Sequence, residues 1–179
     1  MTSETLVPTI VTLLIAIALS TLVNFLFIRI SPRLRLIDKP NERKFQPRSI
    51  PLGGGISIFI SYFLSLLVAK FFFGQPFVNF GTRFYGLFFC GAIMTALGIW
   101  DDYADLNAFL KLLIQVFCAV LLVHFGYQVE VITLPFRAGE FQINMAVSIV
   151  IGIVWMVAII NSINLIDGVD GLCGGVTFF

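Results

Sequence analysis

The stretch LVPTIVTLLIAIALSTLVNFLFIRI, residues 6–30, runs for 25 residues with a single charge, Arg29, near its end. A helix needs about 20 mostly apolar residues to cross the hydrocarbon core of a bilayer. Lipid also requires each backbone polar group to pair within its own segment, which a helix does. The stretch therefore predicts a membrane-spanning helix, Leu6–Ile30. Four more stretches read the same way: Gly54–Phe73, Phe84–Trp100, Phe109–Phe125 and Met145–Ile160. A sixth opens at Gly174 and runs to Val176-Thr177-Phe178-Phe179, so 174–179 is expected to be an incomplete span. The predicted fold is an all-α polytopic membrane protein, five transmembrane helices plus the start of a sixth, in a single transmembrane domain over residues 1–179. Met1 to Leu6 carries no Lys or Arg, and the first apolar stretch exceeds a signal peptide's h-region. The first span is expected to be retained.

Composition agrees with that solvent. Hydrophobic residues make up 59% of the 179, charged residues 12%, and mean hydropathy is +1.00. A soluble domain carries roughly a quarter of its residues charged, which excludes one here. The net charge of +1 points to no partner, and no nucleic-acid partner is expected. Cys90, Cys118 and Cys173 have neither zinc-ligand spacing nor a disulfide framework and read as packing residues; one histidine, His124, makes no metal site.

Positive charge orients the spans. Arg29, Arg33, Arg35, Lys39, Arg43, Lys44 and Arg48, seven of the eleven basic residues, follow or end the first span, so that loop is expected in the cytoplasm. Alternation then places Asp101–Asn107 and Asn161–Gly171 on the cytoplasmic side, and Lys70, Arg83 and Arg137 outside. The outer connection 126–144 holds two β-prone segments, 129–132 and 140–143, separated by Pro135 and Gly139. They predict a small outer β-hairpin.

The carboxylates sort by side. Asp38, Glu42, Asp101, Asp102, Asp105, Asp167 and Asp170 fall in cytoplasmic segments; Glu4, Glu130 and Glu140 do not. Asp101 and Asp102 follow Trp100 directly, at a helix C-terminus whose unpaired carbonyls disfavour anions. A divalent cation would reverse the sign of that interaction. The structural alternative is that they only end the span, with Asp105 or Asn107 capping the next helix. The segment Asn161-Ser-Ile-Asn164-Leu-Ile-Asp167-Gly-Val-Asp170-Gly concentrates amides, carboxylates and glycines after an apolar run. Asn161, Asn164 and Asp167, three apart, would share one face of a last helical turn, where a plain polar turn needs fewer such groups. The third element runs from Asp38 through Arg43, Lys44, Arg48 and Pro51 to Gly53-Gly54-Gly55: bases ahead of a glycine run that opens a helix, a setting for phosphate. Its alternatives are topology enforcement and helix packing; Gly86, Gly91 and Gly98 are expected to serve packing alone. Acidic groups beside a basic, glycine-rich loop suggest phosphate chemistry through a metal, since Mg²⁺ bridges one or two carboxylates to substrate phosphates. At a membrane face, one substrate would be a lipid.

These residues resemble the polyprenyl-phosphate N-acetylhexosamine-1-phosphate transferases. Three motifs carry the resemblance: Asp38-x-Pro…Arg43-Lys44…Pro51-x-Gly53-Gly54, then Asp101-Asp102…Lys111-x-x-x-Gln115, then Asn164-Leu-Ile-Asp167-Gly-x-Asp170-Gly-Leu172. The resemblance implies transfer of an N-acetylhexosamine-1-phosphate from a UDP-sugar to a membrane polyprenyl phosphate, with release of UMP. It implies Mg²⁺, or Mn²⁺ in its place, and a plasma (inner) membrane location with the site facing the cytoplasm. By carry-over, Asp101, Asp102 and Asp167 are the catalytic and metal residues, and Asn164 and Asp170 hold the nucleotide with Asp167. Arg43, Lys44, Arg48 and Lys111 are substrate-binding. The first loop looks more like the undecaprenyl-phosphate N-acetylglucosamine-1-phosphate transferases than the phospho-MurNAc-pentapeptide transferases, although Gln46 stands where that pattern has His. Family members are often homodimers. The resemblance covers the N-terminal half of such a transferase, and that half alone is expected to be inactive. Two other classes compete: an ion-coupled transporter, against which the charge-poor middles of the spans argue, and an inactive assembly partner.

Overall fold

In a computed structural model the described residues are 3–34, 36–38, 50–74, 80–129, 131–133, 140–167 and 172–178. They form helices α1 (Ser3–Ile30), α2 (Gly54–Phe73), α3 (Thr82–Ala104), α4 (Ala108–His124), α5 (Met145–Ile166) and α6 (Leu172–Phe178). Four short strands join them: β1 (Ile37–Asp38), β2 (Ile50–Pro51), β3 (Val131–Thr133) and β4 (Glu140–Gln142). The chain divides into two compact units, Met1–Leu106 and Asn107–Phe179.

Among the described residues, α1, α2, α3 and α5 are long and apolar enough to cross a membrane. The 17 residues of α4 rise about 26 Å at 1.5 Å each, at the short limit of about 17–25 residues for a span. Leu13, Leu14 and Ile17 of α1, Phe71 and Phe72 of α2, and Val154 and Trp155 of α5 are exposed. Water would not tolerate that surface; lipid does.

Two C-terminal ends run well past the expected spans. Helix α3 continues past Trp100 to Ala104, so Asp101 and Asp102 lie within its last turn rather than after it. Helix α5 continues past Ile160 to Ile166. Apolar windows stop at the first polar groups, but a helix need not, provided those groups find partners.

In the first unit α2 is the middle helix. Its buried Ser57, Ser61, Ser65 and Ala69 form an i, i+4 stripe of small residues. Lipid supplies no hydrophobic drive between helices, so close approach along small residues holds them together. Hydroxyls of Ser57, Ser61 and Ser65 donate to α2 carbonyls of Gly54, Ser57 and Tyr62, leaving no polar demand on the contact. The opposite side of α2 carries Phe59 and Phe63, which meet Phe84 and Phe88 of α3 at centroid distances of 5.0 to 5.6 Å. A Cβ on Gly91 would lie 3.1 Å from Phe59 Cε2, so packing accounts for that glycine. Gly98 is different: among the described residues a Cβ there would meet nothing within 4 Å.

In the second unit α4 and α5 pack through Cys118, Ala119 and Val123 on one side and Ser148 and Gly152 on the other, all buried. Gly126, two residues past α4, takes φ 96°. Its N–H donates to Val123 O and that of Tyr127 to Leu122 O, the paired closing bonds of a glycine-terminated helix. Strands β3 and β4 pair antiparallel with Ile132 opposite Phe141. Helix α6 starts at Leu172, two residues ahead of the expected Gly174.

Candidate functional site

The first unit brings two of the three motifs to the same end. Ser31, Leu36 and Leu52 tie the chain leaving α1 to the chain entering α2. Ser31 N donates to Phe27 O at 2.7 Å, Leu36 N to Ser31 O at 3.0 Å and Leu52 N to Leu36 O at 2.9 Å. The buried Ser31 hydroxyl also donates to Leu36 O. Beyond Leu36, β1 and β2 pair Ile37 with Pro51 and Asp38 with Ile50. This ladder closes the first-motif loop at its base. Arg43, Lys44 and Arg48 lie on that loop, outside the described residues.

Gly53 explains part of the glycine run. It precedes α2 with φ 118°, and a Cβ would sit 3.2 Å from Phe27 Cδ1. Side chains rarely adopt that backbone. Among the described residues a Cβ on Gly54 or Gly55 would meet nothing within 4 Å, so packing between the described helices does not account for them.

Asp101 serves α3 before any chemistry. Its Oδ1 accepts the Leu106 N–H at 3.0 Å, while Asp105 takes φ 47° and donates its N–H to Asp101 O at 2.9 Å. Asp tolerates this left-handed conformation better than most residues. Asp102 is exposed. Next along the helix, Tyr103 Oη donates to Leu34 O at 2.6 Å, across 69 residues. That bond ties the Asp101-Asp102 end of α3 to the turn before the first-motif ladder. Sequence reasoning passed over Tyr103; its one signal was a phenol at a helix end beside paired carboxylates.

In the second unit, Asn107 caps α4 by accepting the Phe109 N–H at 3.0 Å, as one of the two expected caps. Lys111 lies one turn in, half-buried. Asn161 and Asn164 lie inside α5, and Asp167 is its C-terminal cap, its N–H bonded to Ile163 O at 3.1 Å. Asn164 and Asp167 are exposed. Asn161 is engaged instead, its Nδ2 donating to Gln115 Oε1 at 2.6 Å and Val157 O at 2.8 Å. Asp170 lies outside the described residues.

Among the described residues no three His, Cys, Asp or Glu side chains gather as a metal site. The donors present still suit Mg²⁺ chemically, because that ion takes hard oxygen ligands, commonly one or two carboxylates with substrate phosphates and water completing the shell. Asp101 and Asp102 offer adjacent carboxylates of that kind.

Known proteins match this sequence. A 177-residue alignment, 28% identical, covers 99% of this chain and 47% of a Bacillus subtilis protein named "Probable undecaprenyl-phosphate N-acetylglucosaminyl 1-phosphate transferase". An Escherichia coli K12 undecaprenyl-phosphate alpha-N-acetylglucosaminyl 1-phosphate transferase is 27% identical over 94% of this chain and 44% of its own length. A Mycobacterium leprae decaprenyl-phosphate N-acetylglucosaminephosphotransferase is 28% identical over 80% of this chain and 37% of its own. The chain thus spans less than half the length of these curated relatives. No solved structure matches. The model of the family described as glycosyl transferase family 4 matches residues 84–179, a range that holds both the Asp101-Asp102 and the Asn164–Asp170 motifs. With its spanning helices and these relatives, the chain is a multi-pass membrane protein and belongs to glycosyl transferase family 4.

Proposed function

We propose that this chain forms part of a phosphoglycosyl transferase that moves N-acetylhexosamine-1-phosphate from a UDP-sugar to a polyprenyl phosphate and releases UMP. The observation that carries this reading is the family match over 84–179, which takes in both acidic motifs; the relatives' names supply the substrate class. Phosphoryl transfer asks a protein mainly to position groups and stabilise charge. In the proposed step an oxygen of the lipid phosphate attacks the sugar-bearing phosphorus of the UDP-sugar. A new P–O bond forms, and the bond from that phosphorus to the bridging oxygen breaks. UMP leaves with the bonding pair, and the product is a polyprenyl diphosphate sugar.

Asp101 and Asp102 are assigned to the metal and the lipid phosphate. Asp101 keeps one oxygen on Leu106 N–H, which fixes its carboxylate plane. Asn164, Asp167 and Asp170 are assigned to the nucleotide, with Asp167 also toward the metal, and Arg43, Lys44, Arg48 and Lys111 to phosphates. Bound there, Mg²⁺ supplies charge screening between two anionic reactants and orients them for in-line attack. The finer topology belongs to the same proposal: α4 as a fifth span, α6 as the start of a sixth, β3–β4 outside, and all three motifs facing the cytoplasm from the plasma membrane. A homodimer is proposed with them.

Membranes containing the complete transferase of which this chain forms part, supplied with labelled UDP-N-acetylglucosamine and undecaprenyl phosphate, should release UMP only with Mg²⁺ present, whereas this chain alone should release none. Asp102→Asn should lower the rate by on the order of 10²–10³-fold, the range for removing a preorganised electrostatic group. Equal rates with and without Mg²⁺, or in the variant, would refute the assignment.

A further inference from the structure

Gln115 is an amide set in an otherwise apolar stretch of α4, Asn161 is the first amide after the apolar run of α5, and they meet. Asn161 Nδ2 lies 2.6 Å from Gln115 Oε1, and Gln115 is 6% exposed. A second contact gives the direction of packing, for a Cβ on Gly152 would stand 3.4 Å from Val123 Cγ2. Between the two contacts α4 advances from 115 to 123 while α5 retreats from 161 to 152. The helices are therefore antiparallel, in nearly constant register.

Running that register the other way is informative. One turn back from Gln115 stands Lys111, on the same stripe of α4. One turn forward from Asn161 stands Leu165, about 6 Å along α5 at 1.5 Å per residue. Lys111, the one Lys or Arg of α4, is thus level with Leu165, between Asn164 and Asp167.

Apolar contact alone defines such a register weakly, because lipid tails are as apolar as the side chains they would replace. A directional hydrogen bond is lost when either helix slides or rotates by one residue. A single polar residue in an apolar seam fixes register in coiled coils for the same reason. We propose that Gln115 and Asn161 are positioning residues whose amide contact holds Lys111 level with Asn164 and Asp167, so that its ammonium meets the diphosphate of the donor. This assignment rests on the transferase reading above.

The test uses the detergent-solubilised chain, UDP-N-acetylglucosamine and Mg²⁺, with donor affinity and thermal unfolding read together. Gln115→Leu and Asn161→Leu should each weaken donor binding on the order of tenfold, 1.4 kcal/mol by the standard conversion. The double leucine variant leaves no amide unpaired, so it should unfold no earlier than the parent yet bind as weakly as either single variant. Lys111→Ala should cost about tenfold in the parent and almost nothing in the double leucine background. Restoring an amide pair in reverse, Gln115→Asn with Asn161→Gln, should regain part of the affinity. A double leucine variant with parental affinity would overturn the positioning role, as would equal Lys111→Ala losses in both backgrounds. Absence of Mg²⁺-dependent donor binding in the parent would overturn the transferase reading itself, and this assignment with it.

Discussion

Three consecutive glycines open α2, and the structure predicts opposite responses to alanine along them. Gly53 sits at φ 118°, with Phe27 Cδ1 3.2 Å from where a Cβ would go. A non-glycine residue held in such a region costs about 1–3 kcal/mol, and the Phe27 ring must also give by a few tenths of an ångström. Gly53→Ala should therefore destabilise the first unit by about 1–2 kcal/mol. For a chain of this size that lowers the unfolding temperature by roughly 2–8 °C. Gly54→Ala and Gly55→Ala meet no atom of the described residues within 4 Å. Alanine loses less backbone entropy than glycine on folding, by about 0.5–1 kcal/mol, so these two should be neutral or stabilising. Buried cysteine provides the readout: Cys90 is 2% exposed and should react with a thiol dye only as the first unit opens. If Gly53→Ala opened at the parental temperature, or Gly54→Ala fell as far as Gly53→Ala, the account of this turn would be wrong.

Other substitutions test separate parts of the account. Tyr103→Phe removes the bond to Leu34 O and should cost about 0.5–1.5 kcal/mol, seen as earlier Cys90 labelling; unchanged labelling would mean the tie is dispensable. Asp101→Asn keeps an oxygen for the Leu106 N–H, so the chain should unfold like the parent while the complete transferase loses Mg²⁺-dependent UMP release, whereas Asp101→Ala should lower both stability and release. Ser148 Oγ is buried with no hydrogen-bond partner among the described residues, and an unmet hydroxyl costs roughly 1–3 kcal/mol. Ser148→Ala should therefore raise the temperature at which Cys118 becomes reactive, and a fall would point to a partner for that hydroxyl. Gly91→Ala should destabilise against Phe59 while Gly98→Ala should not; equal effects would contradict the packing described.

Hydropathy alone located the apolar helices, because lipid tolerates so few alternatives: Gly54–Phe73 emerged with both ends as expected. Helix ends were harder to read. Asp101 and Asn161 look like the residues that should stop a span, yet each sits within a helix. Asp101 is accommodated by Leu106 N–H, Asn161 by Gln115 and by the Val157 carbonyl. The Leu106 N–H lies five residues from Asp101, and Val157 and Gln115 lie four and 46 residues from Asn161; composition windows do not register such bonds. Tyr103 was missed for the same reason, its acceptor being 69 residues distant. The glycine run was legible as a special backbone, but only φ 118° at Gly53 separated the residue that needs glycine from the two whose space is simply open.

Donor binding tests the central claim most directly. Calorimetry of UDP-N-acetylglucosamine on the solubilised chain, with Cys90 and Cys118 protected as evidence of folding, would be run with and without Mg²⁺ and on Asp167→Asn and Asp170→Asn. The account predicts Mg²⁺-dependent binding that each substitution weakens. No binding by the folded chain, or binding indifferent to Mg²⁺ and to both aspartates, would contradict it.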